Sequence, residues 1–170
     1  MTRFQLATLV SWASPLKTRK RLQKVVFMLQ AAGCRLDTDF TLHHYGPYSE
    51  DLARLTDEMV RQGFLEEQEE ENGRGKQYSY RLPAPVQRQL DELEKSERGR
   101  ELAEALVPFE LQAKELLAAD LKTLEYASTI SFFRSIGDDW DAAVKSAAAF
   151  KHTLVPVMKT ALPLAKQMTG

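Results

Sequence analysis

Apolar residues recur at helical spacing in the first part of the 170-residue chain. The spacing predicts a short helix over Arg3–Trp12 and a stronger one over Lys17–Ala32. Gly33 follows the second helix, where glycine commonly accepts the left-handed backbone that ends a helix. The buried stripe predicted for the second helix consists of Leu22, Val25, Val26 and Leu29.

The pattern changes after this glycine. Phe40, Leu42 and His44 alternate with polar or exposed positions, which predicts a short strand. The Gly46-Pro47 pair predicts a turn, and Ser49 is a suitable N-cap for a third helix over residues 49–62.

A β-hairpin is predicted next, with strands over residues 64–70 and 76–82. The predicted order is helix, helix, short strand, helix and hairpin. This order favours a winged helix in which the first of these helices is an addition at the front. After Pro83 the pattern is helical to the end of the chain. We therefore predict a mostly α (α+β) fold: a winged-helix-like module with a β-hairpin wing in residues 1–83, and a C-terminal helical bundle in residues 84–170 packed on it.

The composition suits a soluble globular protein, with 44% hydrophobic and 28% charged residues. No apolar run reaches the roughly 20 residues that span a bilayer, so no membrane association is expected. Cys34 is the only cysteine, which excludes an internal disulfide and fits a reducing compartment. These features predict a cytoplasmic protein.

The formal net charge of −1 hides two segments of opposite sign. Residues 17–35 are basic, and residues 37–71 are rich in acids. Within the basic segment four side chains share helical spacing and form a candidate phosphate-binding face, to which the predicted wing tip adds two more. The alternatives for this face are a solvated surface or pairing with the acidic wing. The candidate phosphate contacts are Lys17, Lys20, Arg21, Lys24, Arg74 and Lys76.

The third helix carries more acids than bases, although this helix normally reads DNA in a winged helix. Carboxylates repel phosphate, so the charge favours a protein partner with a basic surface, or self-association through opposite charges. The candidate partner-binding residues are Tyr45, Tyr48, Glu50, Asp51, Arg54, Asp57 and Glu58.

Neither a metal site nor a catalytic residue is predicted. His43 and His44 are adjacent, so on a strand they point to opposite faces, and neither Cys34 nor His152 completes a usual zinc spacing. Ser49 lacks the G-x-S-x-G context of a nucleophile and is interpreted as a helix cap. No phosphate loop or dinucleotide fingerprint occurs, and no cofactor is expected.

Two stretches together resemble the YwgA-like proteins. They are residues 21–27, Arg-Leu-Gln-Lys-Val-Val-Phe, and residues 44–52, which contain Tyr-Gly-Pro-Tyr-Ser. YwgA-like proteins are in turn similar to the Panacea group, which includes the SocA-like antitoxins. The resemblance covers about residues 17–82 and implies a winged-helix-like fold without enzymatic activity. Relatives in the wider group serve as antitoxins, or as adaptors that deliver a toxin to a protease.

The leading hypothesis is a non-enzymatic protein-interaction module in a bacterial cytoplasm, acting as an adaptor or antitoxin-like inhibitor. Its expected partner is a protein, such as a toxin or a protease component, and a homo-oligomer is a further option. The alternative hypothesis is a winged-helix DNA-binding transcriptional regulator, supported by the basic segment.

Overall fold

Helices dominate the computed structural model, which describes residues 1–72 and 75–169. Two small antiparallel sheets accompany them, so the predicted mostly α (α+β) class is confirmed. In the first half the elements are α1 (Arg3–Ala13), β1 (Leu16–Lys17), α2 (Arg19–Ala31), β2 (Thr41–His43), β3 (Gly46–Tyr48), α3 (Glu50–Arg61), β4 (Glu66–Asn72) and β5 (Gly75–Arg81).

Side-chain caps fix where the first three helices begin. Thr2 and Gln5 form a reciprocal capping box at α1. The Thr18 hydroxyl accepts from the Arg21 amide at α2. The Ser49 hydroxyl accepts from the Leu52 amide at 3.2 Å, so the predicted cap of α3 is confirmed. These oxygens satisfy amides that a helix leaves without an internal partner.

A three-stranded antiparallel sheet has the order β1-β5-β4. The predicted hairpin is present, with Glu66 opposite Arg81 at one end of its ladder. Strand β1 was not predicted, because it is only two residues long. It pairs Leu16 with Tyr80 of β5, and both side chains are buried. The short strand thereby ties the α1–α2 connection to the hairpin.

The predicted strand around Leu42 is present as β2, but the turn after it was placed wrongly. The turn comprises His44 and Tyr45, whereas Gly46 and Pro47 lie in β3, which pairs with β2. Proline fits this strand because Leu42 and Pro47 face each other in a two-stranded ladder with free edges.

The second half is helical as predicted. Pro156 lies in the first turn of α9 and Pro163 in that of α10, which fits proline's tolerance for helix starts. The elements are α4 (Ala84–Lys95), α5 (Glu97–Ala103), a 3-10 turn (Val107–Phe109), α6 (Glu110–Ala118), α7 (Leu121–Ser135), α8 (Trp140–Phe150), α9 (Val155–Lys159) and α10 (Leu162–Thr169).

Helix α2 is the centre of the molecule. Every residue from 22 to 29 is buried, because α6, α7, α10 and β3 all pack against this helix. Buried side chains of both halves form one hydrophobic cluster that extends from Leu6 to Met168. The C-terminal helices therefore cover faces of α2 that the first half alone would leave open.

Arg21 joins the two halves through hydrogen bonds. Its guanidinium donates to the carbonyl oxygens of Leu117 and Ala119, at 2.9 and 2.5 Å, where α6 ends. The last carbonyls of a helix have no internal partner, and a cation there also complements the helix dipole. Arg21 is thus used within the fold, contrary to its predicted place on an open basic face.

Replacing Arg21 with methionine should lower the free energy of unfolding by about 1–2 kcal/mol, because the α6 carbonyls lose a charged donor. The change can be measured by urea denaturation. The control is Arg88→Met, at an exposed arginine of α4. Equal effects of the two changes would contradict a structural role for Arg21.

Candidate functional site

A cleft lies between α2, α3 and the β2–β3 hairpin, and we call it the α2–α3 cleft. Its volume is about 210 Å³. Leu22 and Ala53 contribute apolar surface, Thr56 and Asp57 line it from α3, and Lys20 and Lys24 line it from α2. Its lining combines apolar surface with charged groups, which is typical of sites that bind small molecules.

Lys24 is the most unusual side chain of the cleft. It is only 1% exposed, and its ammonium group donates to the carbonyl oxygen of Pro47 at 2.7 Å. Burial lowers the pKa of Lys24 from 10.5 to about 7; Glu125 opposes the decrease, and Lys151 and Lys20 add to it. A buried lysine is costly in its charged form unless it meets an anion.

Three amines surround a single carboxylate beside the cleft. Glu125 of α7 lies 3.3 Å from the Lys20 ammonium, and its other oxygen accepts from Lys151, which follows α8. Lys151 also donates to the carbonyl oxygen of His44. Lys24 forms no ion pair with a carboxylate of residues 1–72 or 75–169. The group therefore carries excess positive charge when all three amines are protonated.

Two tyrosines of the β2–β3 hairpin line the cleft. Tyr45 is 55% exposed, and the Lys20 ammonium lies 3.8 Å from the centre of its ring. Lys151 approaches the same ring at 5.8 Å. The Tyr48 ring stacks on His43 with 4.9 Å between ring centres. Cation–π contacts of this kind hold Tyr45 in place although it is solvent-exposed.

Gln23 connects α2 to the start of α3. Its side-chain oxygen accepts from the Ser49 amide at 2.8 Å, and its side-chain nitrogen donates to the Ser49 carbonyl at 3.0 Å. Both groups are buried, so this double hydrogen bond fixes the cap of α3 relative to α2. The double hydrogen bond therefore fixes the positions of α2 and α3, which form two walls of the cleft.

The predicted phosphate contacts do not form one exposed face. Lys24 is buried and Lys20 pairs with Glu125, because α7 and the hairpin cover that side of α2. Lys17 lies in β1 and is exposed, and Lys76 pairs with Glu69 of β4 at 2.7 Å. Arg74 lies outside the described residues. Thus α2 does not present its basic residues as one exposed face, and phosphate binding by the exposed ones stays a prediction.

The predicted partner-binding residues of α3 are largely exposed, and three of the acids are in ion pairs. Arg54 pairs with Asp51 within the helix. Asp57 pairs with Arg19 at 3.2 Å, and Glu58 pairs with Arg3 at 2.5 Å. Glu50 is exposed and forms no ion pair with the described part of the chain. Tyr45 and Tyr48 belong to the cleft instead, beside α3.

The residues weighed as metal ligands are dispersed. His44 packs on Tyr45, and Cys34 is buried with its thiol donating to the Ala105 carbonyl. Burial raises the pKa of the Cys34 thiol to about 11. Within residues 1–72 and 75–169, His, Cys, Asp and Glu side chains nowhere form a group of three suited to a metal ion. In the same residues, none of the helices has the length and apolarity that a membrane span requires.

Sequence reasoning missed three residues of the site. Glu125 and Lys151 come from the C-terminal half, and no spacing pattern connects them to α2 across 100 residues. Gln23 was also missed. Its place inside the apolar run from Leu22 to Leu29 was a usable signal, since a polar side chain there must find a buried partner.

Comparison with known proteins gives one informative match. No family model matches the chain. Over 64 residues it is 38% identical to the uncharacterized protein YwgA of Bacillus subtilis (strain 168). The match covers 38% of this chain and 39% of that protein, so the chain spans about two fifths of its curated relative. The resemblance to YwgA predicted from the sequence is confirmed over these 64 residues. The match assigns no activity to the chain.

Proposed function

We propose that the chain is a non-enzymatic protein-interaction module of winged-helix type, which acts in the cytoplasm as an adaptor or antitoxin-like inhibitor. The winged-helix assignment draws support from the strand order β1-β5-β4, with β1 between α1 and α2 and the β4–β5 hairpin after α3. We also extend the likeness to YwgA to the Panacea group, whose members include antitoxins and adaptors.

The observation that carries this proposal is the excess of carboxylates on two neighbouring elements, α3 and β4. Helix α3 has four carboxylates and two arginines, and β4 has five glutamates. Arg19 joins the two elements, since one of its nitrogens lies 3.2 Å from Asp57 and 2.6 Å from Glu67. The acidic elements are therefore adjacent, and the cation between them is already paired.

This charge favours a basic protein surface over DNA. A DNA-reading helix offers free cations and amides to phosphates and base edges. Here Arg54 is paired with Asp51, Arg61 lies at the far end of the helix, and the carboxylates of the first turn would repel the phosphate backbone. The same carboxylates would complement a basic partner, raising its association rate and excluding acidic competitors.

Neutralising the start of α3 tests the proposal. The variant E50Q/D51N should weaken capture of the protein partner from native lysate by about five- to thirtyfold, because two carboxylates of α3 are lost. The matched control is E92Q/D141N, which changes the net charge equally at exposed positions of α4 and α8. Partners recovered by the wild type and the control, identified by mass spectrometry, should be depleted with E50Q/D51N.

Equal recovery of every partner by the three proteins would contradict the proposal. A polarisation titration with duplex DNA supplies the second arm. Binding that strengthens steeply as salt falls, without a protein partner, would favour the DNA-binding regulator instead.

A further inference from the structure

We propose that the α2–α3 cleft binds a small organic monocarboxylate, whose carboxylate group meets Lys24 and Lys20 and whose apolar body lies against Leu22 and Ala53. The cleft shares Arg19 and Asp57 with the acidic elements α3 and β4. The residues that would hold the ligand differ from Glu50 and Asp51, so the two proposals are tested by different variants.

The charge balance supplies the first argument. Lys20 and Lys151 share Glu125, whereas Lys24 meets only the Pro47 carbonyl oxygen in the described part of the chain. An ammonium group has three protons to donate. A carboxylate would supply the missing acceptors and the missing negative charge, and hydrogen bonds to ionised groups are the stronger ones.

The number of charges selects a monoanion. One buried amine lacks an anionic partner, and the carboxylates of Asp57 and Glu125 lie near the cleft. A phosphate dianion would need a second cation that contacts no carboxylate, whereas Lys20 and Lys151 both contact Glu125 already. A monocarboxylate neutralises Lys24 without such a second cation.

The volume and the lining residues of the cleft indicate what the apolar body of the ligand is like. A volume of about 210 Å³ is below the roughly 300–1,000 Å³ of pockets for drug-sized ligands. It suits a body of about ten heavy atoms or fewer. Leu22 and Ala53 offer apolar surface, and the ring of Tyr48 adds a flat wall held by its stacking on His43.

Proton uptake should accompany binding. The free protein holds Lys24 largely neutral above its pKa of about 7. The other ionisable groups around the cleft are Arg19 and Lys20 of α2, Asp57 of α3, Glu125 of α7, Lys151 after α8, and Tyr45 and Tyr48 of the hairpin. A bound carboxylate would favour the charged amine, so affinity should increase as pH falls through 7.

The experiment is an NMR titration of the wild-type chain with benzoate, hexanoate, benzamide and inorganic phosphate at pH 6.0 and 8.5. We expect benzoate or hexanoate to bind saturably with a dissociation constant near 1 mM, as fits a ligand of about nine heavy atoms. Shifts should centre on the amides of Tyr45, Gly46 and Tyr48. Benzamide, which lacks the charge, should bind at least tenfold more weakly.

Binding of the carboxylate should be about five- to thirtyfold tighter at pH 6.0, as the protonated fraction of Lys24 rises. Lys24→Met should abolish it, Lys20→Met should weaken it, and the control Lys145→Met, at an exposed lysine of α8, should leave it unchanged. If Lys24→Met does not fold, two measurements on the wild-type chain still test the proposal. They are the comparison of benzoate with benzamide and the comparison of binding at the two pH values. No saturable shift with either carboxylate, equal binding of benzamide, or tighter binding of phosphate would each overturn the proposal.

Discussion

Replacing Lys24 with methionine should remove a rise in stability that the wild-type protein shows between pH 7 and 9.5. The pKa of Lys24 is about 7 in the folded protein and near 10.5 when the side chain is solvated. Between these values the unfolded chain binds the proton and the folded chain does not. Stability therefore increases with pH across this window, and the penalty of burying the cation is fully present below pH 7.

The size of this effect follows from the same linkage. From pH 7 to 9.5 the unfolding free energy of the wild type should rise relative to Lys24→Met by on the order of 3 kcal/mol. Urea denaturation at half-unit pH steps measures the difference between the two curves. The control Lys145→Met changes an exposed lysine and should run parallel to the wild type. Parallel curves for Lys24→Met would mean that the amine is solvated in the folded state.

The burial of Lys24 also explains how sequence reasoning erred on α2. Lys20 and Lys24 follow the helical spacing of a solvated stripe, and an isolated helix would expose them. In the protein α7 and the β2–β3 hairpin cover that stripe, and Lys24 is enclosed. Helix periodicity identifies which residues share a face, but which faces are covered depends on elements distant along the chain.

Two features that depend on residues close together in the sequence were predicted correctly. Ser49 was identified as a cap from its residue type and its place before a helical pattern, and in the structure its hydroxyl accepts from the amide three residues on. The hairpin of β4 and β5 was likewise predicted from alternation and turn residues. By contrast, β1 is specified by its pairing with β5, some 60 residues away, and no local pattern marks it.

The candidate site shows the same division. Lys20, Lys24, Tyr45 and Tyr48 of the site were candidates from the sequence, because the basic residues of α2 and the segment around Gly46 stand out in it. Their function could not be predicted, because the decisive feature is the shortage of negative charge around Lys24, Lys20 and Lys151. Glu125 of α7 is the carboxylate that contacts Lys20 and Lys151, and no sequence pattern indicates that contact. The C-terminal helices therefore shape the site as well as the core.

Gly46 is the backbone position on which this site depends most. Its φ is +94°, a conformation that side chains rarely adopt, and a Cβ there would lie 2.7 Å from the Thr129 hydroxyl. The same Cβ would lie 3.7 Å from the Lys24 ammonium nitrogen. Gly46→Ala should therefore reduce the free energy of unfolding by about 3–4 kcal/mol, from backbone strain of about 1–2 kcal/mol and overpacking.

Two comparisons separate those contributions in urea denaturation. Gly33 has a similar φ of +100° with nothing within 4 Å of an added Cβ, so Gly33→Ala should show the strain alone. In the double variant G46A/T129A the overpacking should be relieved, whereas G46A/T129S keeps the hydroxyl and should not be rescued. The Thr129 hydroxyl donates to the Glu125 carbonyl, so the Thr129→Ala single variant completes the cycle. Equal losses for Gly33→Ala and Gly46→Ala would mean that the hairpin can shift away from α7, and that Pro47 does not hold the Lys24 amine rigidly.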